Sequence, residues 1–184
     1  MGRKYAIRDQ QGCHFITFTV VNWIDLFIRN EYREILVESL SYCQQNKGLI
    51  VHAWCIMTSH VHLIVSAAEG KELSAIIRDF KSFTSKELKK CIHENPGESR
   101  KKWLLWMFQR AGEKNRRNLD FQLWQQHNHP VELSTNEMMD QRLDYIHNNP
   151  VEAGFVDDPV AWEWSSCSDY ERGVEGKLKL EFIA

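Results

Sequence analysis

The clearest alternation of apolar and polar positions along the chain lies in Val51 to Ser66, VHAWCIMTSHVHLIVS. Two short apolar runs, Val51 to Met57 and Val61 to Val65, are separated by Thr58 and Ser59, which predicts two adjacent strands joined by a turn. Upstream, His14 to Val21 is rich in aromatic and β-branched residues and predicts a first strand. Between them Tyr32, Ile35, Leu36, Leu40 and Cys43 recur at helical spacing, so a helix is expected from Asn30, its cap, to Lys47, with Gly48 as the stop. The period returns after Gly70 in Leu73, Ile76, Ile77, Phe80, Phe83, Thr84, Leu88 and Cys91, which predicts a second helix.

Strand, helix, strand, strand, helix is most of a split βαβ arrangement. The expected class is α+β: a ferredoxin-like antiparallel sheet with helices packed mainly on one face. Asp120 to Gln126, DFQLWQQ, is expected to return as the last strand. Before it the chain turns polar and basic around Trp103, Trp106 and Phe108, an inserted helix and loop around residues 95–119. Ser134-Thr135-Asn136-Glu137 matches a capping box, so a further helix should start near Thr135 and end by Pro150. On it Met138, Arg142, Tyr145 and Asn149 share one stripe, and Met139, Leu143 and Ile146 share the natural core stripe. With a C-terminal tail at 168–184, the 184 residues are expected to form one domain.

Charge changes this picture more than composition does. The net charge is −2, yet Arg78 to Arg117 holds twelve Lys and Arg against five Asp and Glu, leaving an excess of nine negative charges elsewhere. A basic middle on an acidic chain is the footprint of a polyanion-binding face or of a solvated helical surface. The five cysteines are scattered without a C-x-x-C pair, which excludes a zinc knuckle or redox motif. There is no apolar run of membrane-spanning length and no signal-peptide core near the start, so no membrane partner and a cytoplasmic location are expected.

His60 and His62 lie two apart on a predicted strand, so both imidazoles share one face. Such a pair is half of a metal site, and taken alone it is more often two satisfied histidines. His127 and His129 form a second pair beside Pro130, read as an ordinary loop and not as an HNH nuclease motif.

TSHVHLIVS together with LDYIHNNPVEAGFVDDPVAWEWSSCSDY resembles the REP-associated tyrosine transposases, IS200-like members of the HUH (histidine–hydrophobic–histidine) single-tyrosine transposases. The resemblance runs through nearly the whole chain and implies an HUH endonuclease-type sheet. It assigns His60 and His62 as metal ligands, Tyr145 as nucleophile and Asn149, one turn later, as the third ligand. The chain departs from the family pattern where Met57-Thr58-Ser59 precedes His60 in place of a Met-Pro and Asn, and at Glu152, where a basic residue is frequent.

The implied activity is a metal-dependent single-strand DNA endonuclease and strand transferase that forms a 5′-phosphotyrosine intermediate on hairpin or repetitive extragenic DNA. A phenol ionises near pH 10 and is a weak nucleophile as it stands. A divalent ion, Mg²⁺ with Mn²⁺ substituting, would polarise the scissile phosphate and stabilise the charge that builds on it. The expected partner is single-stranded or hairpin DNA, bound by a monomer or homodimer. Arg142 is the favoured phosphate contact, and Lys81, Lys89, Lys101, Lys102, Arg110, Lys114, Arg116 and Arg117 would track the backbone, with Trp103, Trp106 or Trp124 stacking bases. His147 is given a structural or DNA-contacting role. Two other readings fit the residues: a non-catalytic hairpin-binding descendant of a transposase, and a metal-dependent phosphodiesterase using water.

Overall fold

The structure, a computed structural model, describes residues 7–115 and 120–183. Its elements are β1 (His14–Thr19), α1 (Asn30–Lys47), β2 (Leu49–Ile56), β3 (His60–Ala67), α2 (Leu73–Glu94), α3 (Lys101–Glu113), β4 (Val131–Glu132), α4 (Asn136–Glu152) and α5 (Cys167–Arg172), with 3₁₀ turns at Val21–Trp23 and Pro159–Ala161. The strands form one antiparallel sheet in the order β2-β3-β1-β4. This is the ferredoxin-like α+β arrangement expected from the order of elements.

Strand alternation divides the core in two. Ile16 and Phe18 of β1, Val51, Trp54 and Ile56 of β2, and Val61, Leu63 and Val65 of β3 pack on one side with Leu36 and Leu40 of α1, Ile76, Ile77 and Phe80 of α2, and Leu104 and Phe108 of α3. On the other side Phe15, Ala53, Cys55, Met57 and Ile64 meet Leu133 and Ile146 of α4. Thr17 pairs with His62 and Thr19 with His60, so both histidines lie on the side that α4 covers.

Helix α1 stops where Gly48 takes φ 75°, a left-handed conformation that costs glycine little, and Gly48 N–H donates to the Cys43 carbonyl. Its first cap is not Asn30: Arg29 holds the cap position without a side-chain bond, and Asn30 instead accepts from Arg33. Glu98, 4 % exposed, pins the α2–α3 connection to α1 by accepting from Arg29, Arg100 and the Tyr32 hydroxyl. Burial raises its pKa, but hydrogen bonds from the side chain and backbone of Arg100, the Arg100 charge and the Tyr32 hydroxyl outweigh burial and hold it below the usual carboxylate range.

Three further expectations are corrected. Residues 120–126 do not form the fourth strand: Trp124 makes only an isolated bridge with Val20, and the ladder on β1 is closed by Val131–Glu132. Trp124 faces the helical layer, buried against Phe18 and Phe27, with its indole N–H donating to Thr84. Helix α4 starts near Thr135 as expected, but the cap is Thr135 itself, whose hydroxyl accepts from Met138 N–H, and not Ser134 of a box closed by Glu137. The helix also runs through Pro150 to Glu152, because Ala153 and Phe155 N–H close the last turn on the Asn149 and Pro150 carbonyls and Gly154, at φ 73°, ends it.

The outer edge of β2 is covered by the chain's C-terminal part. Ile56 N–H donates to the Trp164 carbonyl, Ser166 N–H to the Trp54 carbonyl and Glu181 N–H to the Val51 carbonyl. His52, at a bulge in β2, bonds the Glu181 carbonyl and the Ser66 hydroxyl.

Candidate active site

β3 begins at His60, directly after the Thr58-Ser59 turn, and α4 crosses the same face with Tyr145 and Asn149 one turn apart. The His60 and His62 ring centroids are 4.7 Å apart, and the Tyr145 ring lies 5.2 Å from His62. The Asn149 side chain lies close enough to His60 to raise its pKa against the effect of burial. Four residues singled out in the sequence thus meet where β3 begins.

His62 is 4 % exposed. Its Nδ1 is bonded to the Thr17 hydroxyl at 2.9 Å, while its Nε2 is buried with no hydrogen-bond partner. An unmet polar atom in so dry a place carries a cost that a ligand would remove. Burial, with the charges of His60 and Arg142, pushes the His62 pKa down to about 3, and burial lowers that of His60. Both rings are therefore neutral at pH 7, the form that ligates metal. Among the described residues no group of three His, Cys, Asp or Glu is placed to hold a metal ion, and the amide beside His60 is that of Asn149. Two neutral imidazoles on one face are donors that a divalent transition metal accepts.

Tyr145 is 37 % exposed, its ring edge-on to Phe15 at 5.9 Å. Arg142 lies 4.9 Å over Phe15 and 5.9 Å from the Tyr145 ring, which puts one cation beside the tyrosine. His147 is buried on another side of α4, bonded to the Ser166 hydroxyl and edge-on to Tyr170.

The other basic residues do not join this cluster. Lys81 and Lys89 belong to α2 and Lys101, Lys102 and Arg110 to α3, in the layer on the opposite side of the sheet, with Lys114 capping α3. Lys81 is committed to the Gln125 carbonyl and the Asn128 side chain, and burial pushes its pKa down to about 8. With Arg78, Lys86 and Lys89 it lines a groove of about 920 Å³ floored by Phe121 and Trp124. Arg110 covers Trp106 at 5.5 Å, and Trp103 and Trp106 are exposed. Arg116 and Arg117 lie outside the described residues. His127 and His129 sit 6.2 Å apart in the loop before β4.

Three side chains at the site carried no signal of their own in the sequence. Thr17 emerges only from the β1–β3 register, Trp23 only from its ring, 5.4 Å from His60, and Asp25 only from its bond to Thr58 and its charge on His60.

The family model described as "Transposase IS200 like" matches residues 11–107. The chain belongs to the IS200-like transposase family. The match takes in both histidines of this family member and ends before α4, so Tyr145 and Asn149 rest on geometry. No curated protein matches the chain. Among solved structures, a REP-associated tyrosine transposase bound to a REP hairpin superposes with a TM-score of 0.66 at 19 % identity, over 100 % of this chain and 93 % of that one. A protein of Deinococcus radiodurans provisionally called a transposase gives 0.46 at 15 % identity over 80 % and 95 %. The first likeness supports the fold, and the second is too weak to add to it.

Proposed function

We propose that this chain is a metal-dependent DNA strand transferase in which Tyr145 is the nucleophile and His60, His62 and Asn149 hold the metal ion. The reading is carried by one observation: the unpartnered Nε2 of His62, buried in a ring cluster that includes Tyr145. The ion would supply charge neutralisation at the scissile phosphate. The Tyr145 hydroxyl attacks phosphorus, the bond from phosphorus to the 3′-oxygen breaks, and the phenolic proton is balanced by protonation of the departing 3′-oxygen. The products are a 5′-phosphotyrosyl link and a 3′-hydroxyl. Because the phosphodiester bond is exchanged and not hydrolysed, a second 3′-hydroxyl can reverse the step without ATP. Arg142 neutralises a non-bridging phosphate oxygen beside Tyr145.

The substrate class is single-stranded DNA flanking a hairpin. The solved relative is bound to a REP hairpin, and an exposed tyrosine on a helix reaches an unstacked strand. The test is incubation of the chain with end-labelled hairpin DNA, single-stranded on both flanks, and Mn²⁺, read on a denaturing gel. A protein-linked band lost in both Tyr145→Phe and His62→Ala is expected. Cleavage that survives Tyr145→Phe makes water the nucleophile, and binding without any covalent band makes the chain a hairpin-binding descendant.

A further inference from the structure

Trp23 is the most exposed tryptophan of the described chain, at 60 %, yet its ring stands edge-on to His60 at 5.4 Å. Its backbone is unusual. Asn22 and Trp23 both have positive φ, 56° and 55°, in a left-handed region that bulky side chains rarely enter. Neither residue is a glycine, and the exposed indole gains little from burial that would offset this conformation.

The segment is held rigidly. Val21, Ile24, Leu26 and Phe27 on either side are buried in the helical-layer core. Val20 N–H donates to the Ser59 carbonyl and Phe27 N–H to the Thr58 carbonyl, fastening both ends of the segment to the turn that introduces His60. The Thr58 hydroxyl adds a 2.6 Å bond to Asp25, and Arg100 donates to the Asp25 carbonyl. A flat, exposed indole is therefore fixed at the rim of the His60–His62–Tyr145 cluster on a backbone that does not have to order when something binds, which is the arrangement that makes an aromatic contact effective.

We infer that Trp23 is a base-stacking residue: it takes the face of an unpaired nucleobase next to the scissile phosphate and so sets that phosphate over Tyr145. The inference rests on the strand-transferase reading for the phosphate's fate, whereas the stacking itself is independent of cleavage. Stacking on an aromatic ring tolerates any base, because every base offers a π face. Trp23 therefore contributes affinity and register without selecting sequence.

The experiment uses the full chain with Tyr145→Phe, so that no strand is cut, and a hairpin carrying a ten-nucleotide single-stranded flank, followed by tryptophan fluorescence and by filter binding. Trp23→Phe should keep the affinity within about threefold while losing most of the DNA-induced quenching. Trp23→Leu and Trp23→Ala should bind about tenfold more weakly. Moving a single abasic site along the flank should reproduce that loss at one position in the Trp23 chain and have no effect in Trp23→Leu. Equal affinity and equal quenching in all four chains overturn the inference, as does an abasic effect that persists in Trp23→Leu. With Tyr145 restored, a covalent band undiminished in Trp23→Leu also overturns it. If Trp23-dependent stacking is found and no covalent band ever forms, stacking stands and the transferase reading falls.

Discussion

Thr17 faces His62 across the β1–β3 ladder and, through a single 2.9 Å bond to Nδ1, decides which way the imidazole presents Nε2. Replacing a partner of this kind lowers metal affinity about 10- to 100-fold. Thr17→Val, which keeps the shape and removes the hydroxyl, is expected to weaken Mn²⁺ binding by that factor in a calorimetric titration. His62→Ala should abolish binding altogether. Trp23 supplies a contrasting case in which the local conformation itself is unfavourable. A left-handed φ costs a non-glycine residue roughly 1 kcal/mol, so Trp23→Gly, whatever it does to DNA affinity, should leave the melting temperature unchanged or raise it by a few degrees. A drop of more than about 5 °C in a thermal melt would instead mean that the indole supports the fold.

Helix α1 and the two central strands were legible because their signals are local: a glycine that can take positive φ after Lys47, and alternation interrupted by Thr58-Ser59. The fourth strand was not, because DFQLWQQ has strand-like residues whose bonding was decided by tertiary partners. The Trp124 ring packs with Thr84 and Phe18 while its neighbours Leu123 and Gln125 bond the β1 chain only at its end, at Val21 and Thr19, and the ladder further along β1 is made by Val131 and Glu132. Pro150 misled for another reason: it gives up the bond to the Ile146 carbonyl, yet Ala153 and Phe155 N–H still close the turn on the Asn149 and Pro150 carbonyls. The spacing of Tyr145 and Asn149 was readable from helical period alone, but that His60 would lie beneath them depended on which side of the sheet α4 covers, and alternation is silent on that. Glu98 shows how elements were fastened without any sequence pattern. Removing a buried carboxylate leaves Arg29 and Arg100 half-paired and typically costs about 3–5 kcal/mol; both arginines are about a third exposed, so Glu98→Ala is expected to destabilise the chain by roughly 2–3 kcal/mol in urea. Because its folded pKa lies below the unfolded one, the part of this contribution that comes from the pKa shift is complete above about pH 4.3 and is lost as pH falls through the folded value. The stability gap between wild type and variant should therefore narrow in acid, and a gap that widens would contradict the lowered pKa.

At the scale of the molecule the described part of the charged middle, α2 and α3, and the candidate active site belong to opposite sides of one sheet. The basic excess between Arg78 and Arg117 was visible in the sequence, but its side was not. Lys86 and Lys89 of α2 line a groove away from Tyr145, so reversing both charges should act on DNA held at a distance. Lys86→Glu with Lys89→Glu is expected to reduce the slope of log affinity against log salt by about 2 for a long hairpin, and to leave the rate of covalent attachment to a short single-stranded oligonucleotide unaltered. An equal fall in both would mean that the groove and the site handle the same stretch of DNA.

The covering of β2 bears on how copies of the chain behave towards one another. An uncovered strand edge is a template for aggregation, and here the groups that would recruit a neighbour's strand are already taken by Trp164, Ser166 and Glu181. The last of these comes from a segment held by bonds from Gln44 to the Lys179 carbonyl, from His52 to the Glu181 carbonyl and from Ile183 N–H to the Tyr170 hydroxyl, by the Tyr170–Phe182 ring contact and by the burial of Leu178. Cutting the chain after Gly173 would thus leave the tyrosine and histidines in place while opening Val51 and His52 to pairing, and light scattering should detect species larger than those of the intact chain, growing with concentration. The tail then acts as a solubility device: it keeps the sheet from being extended by its own kind.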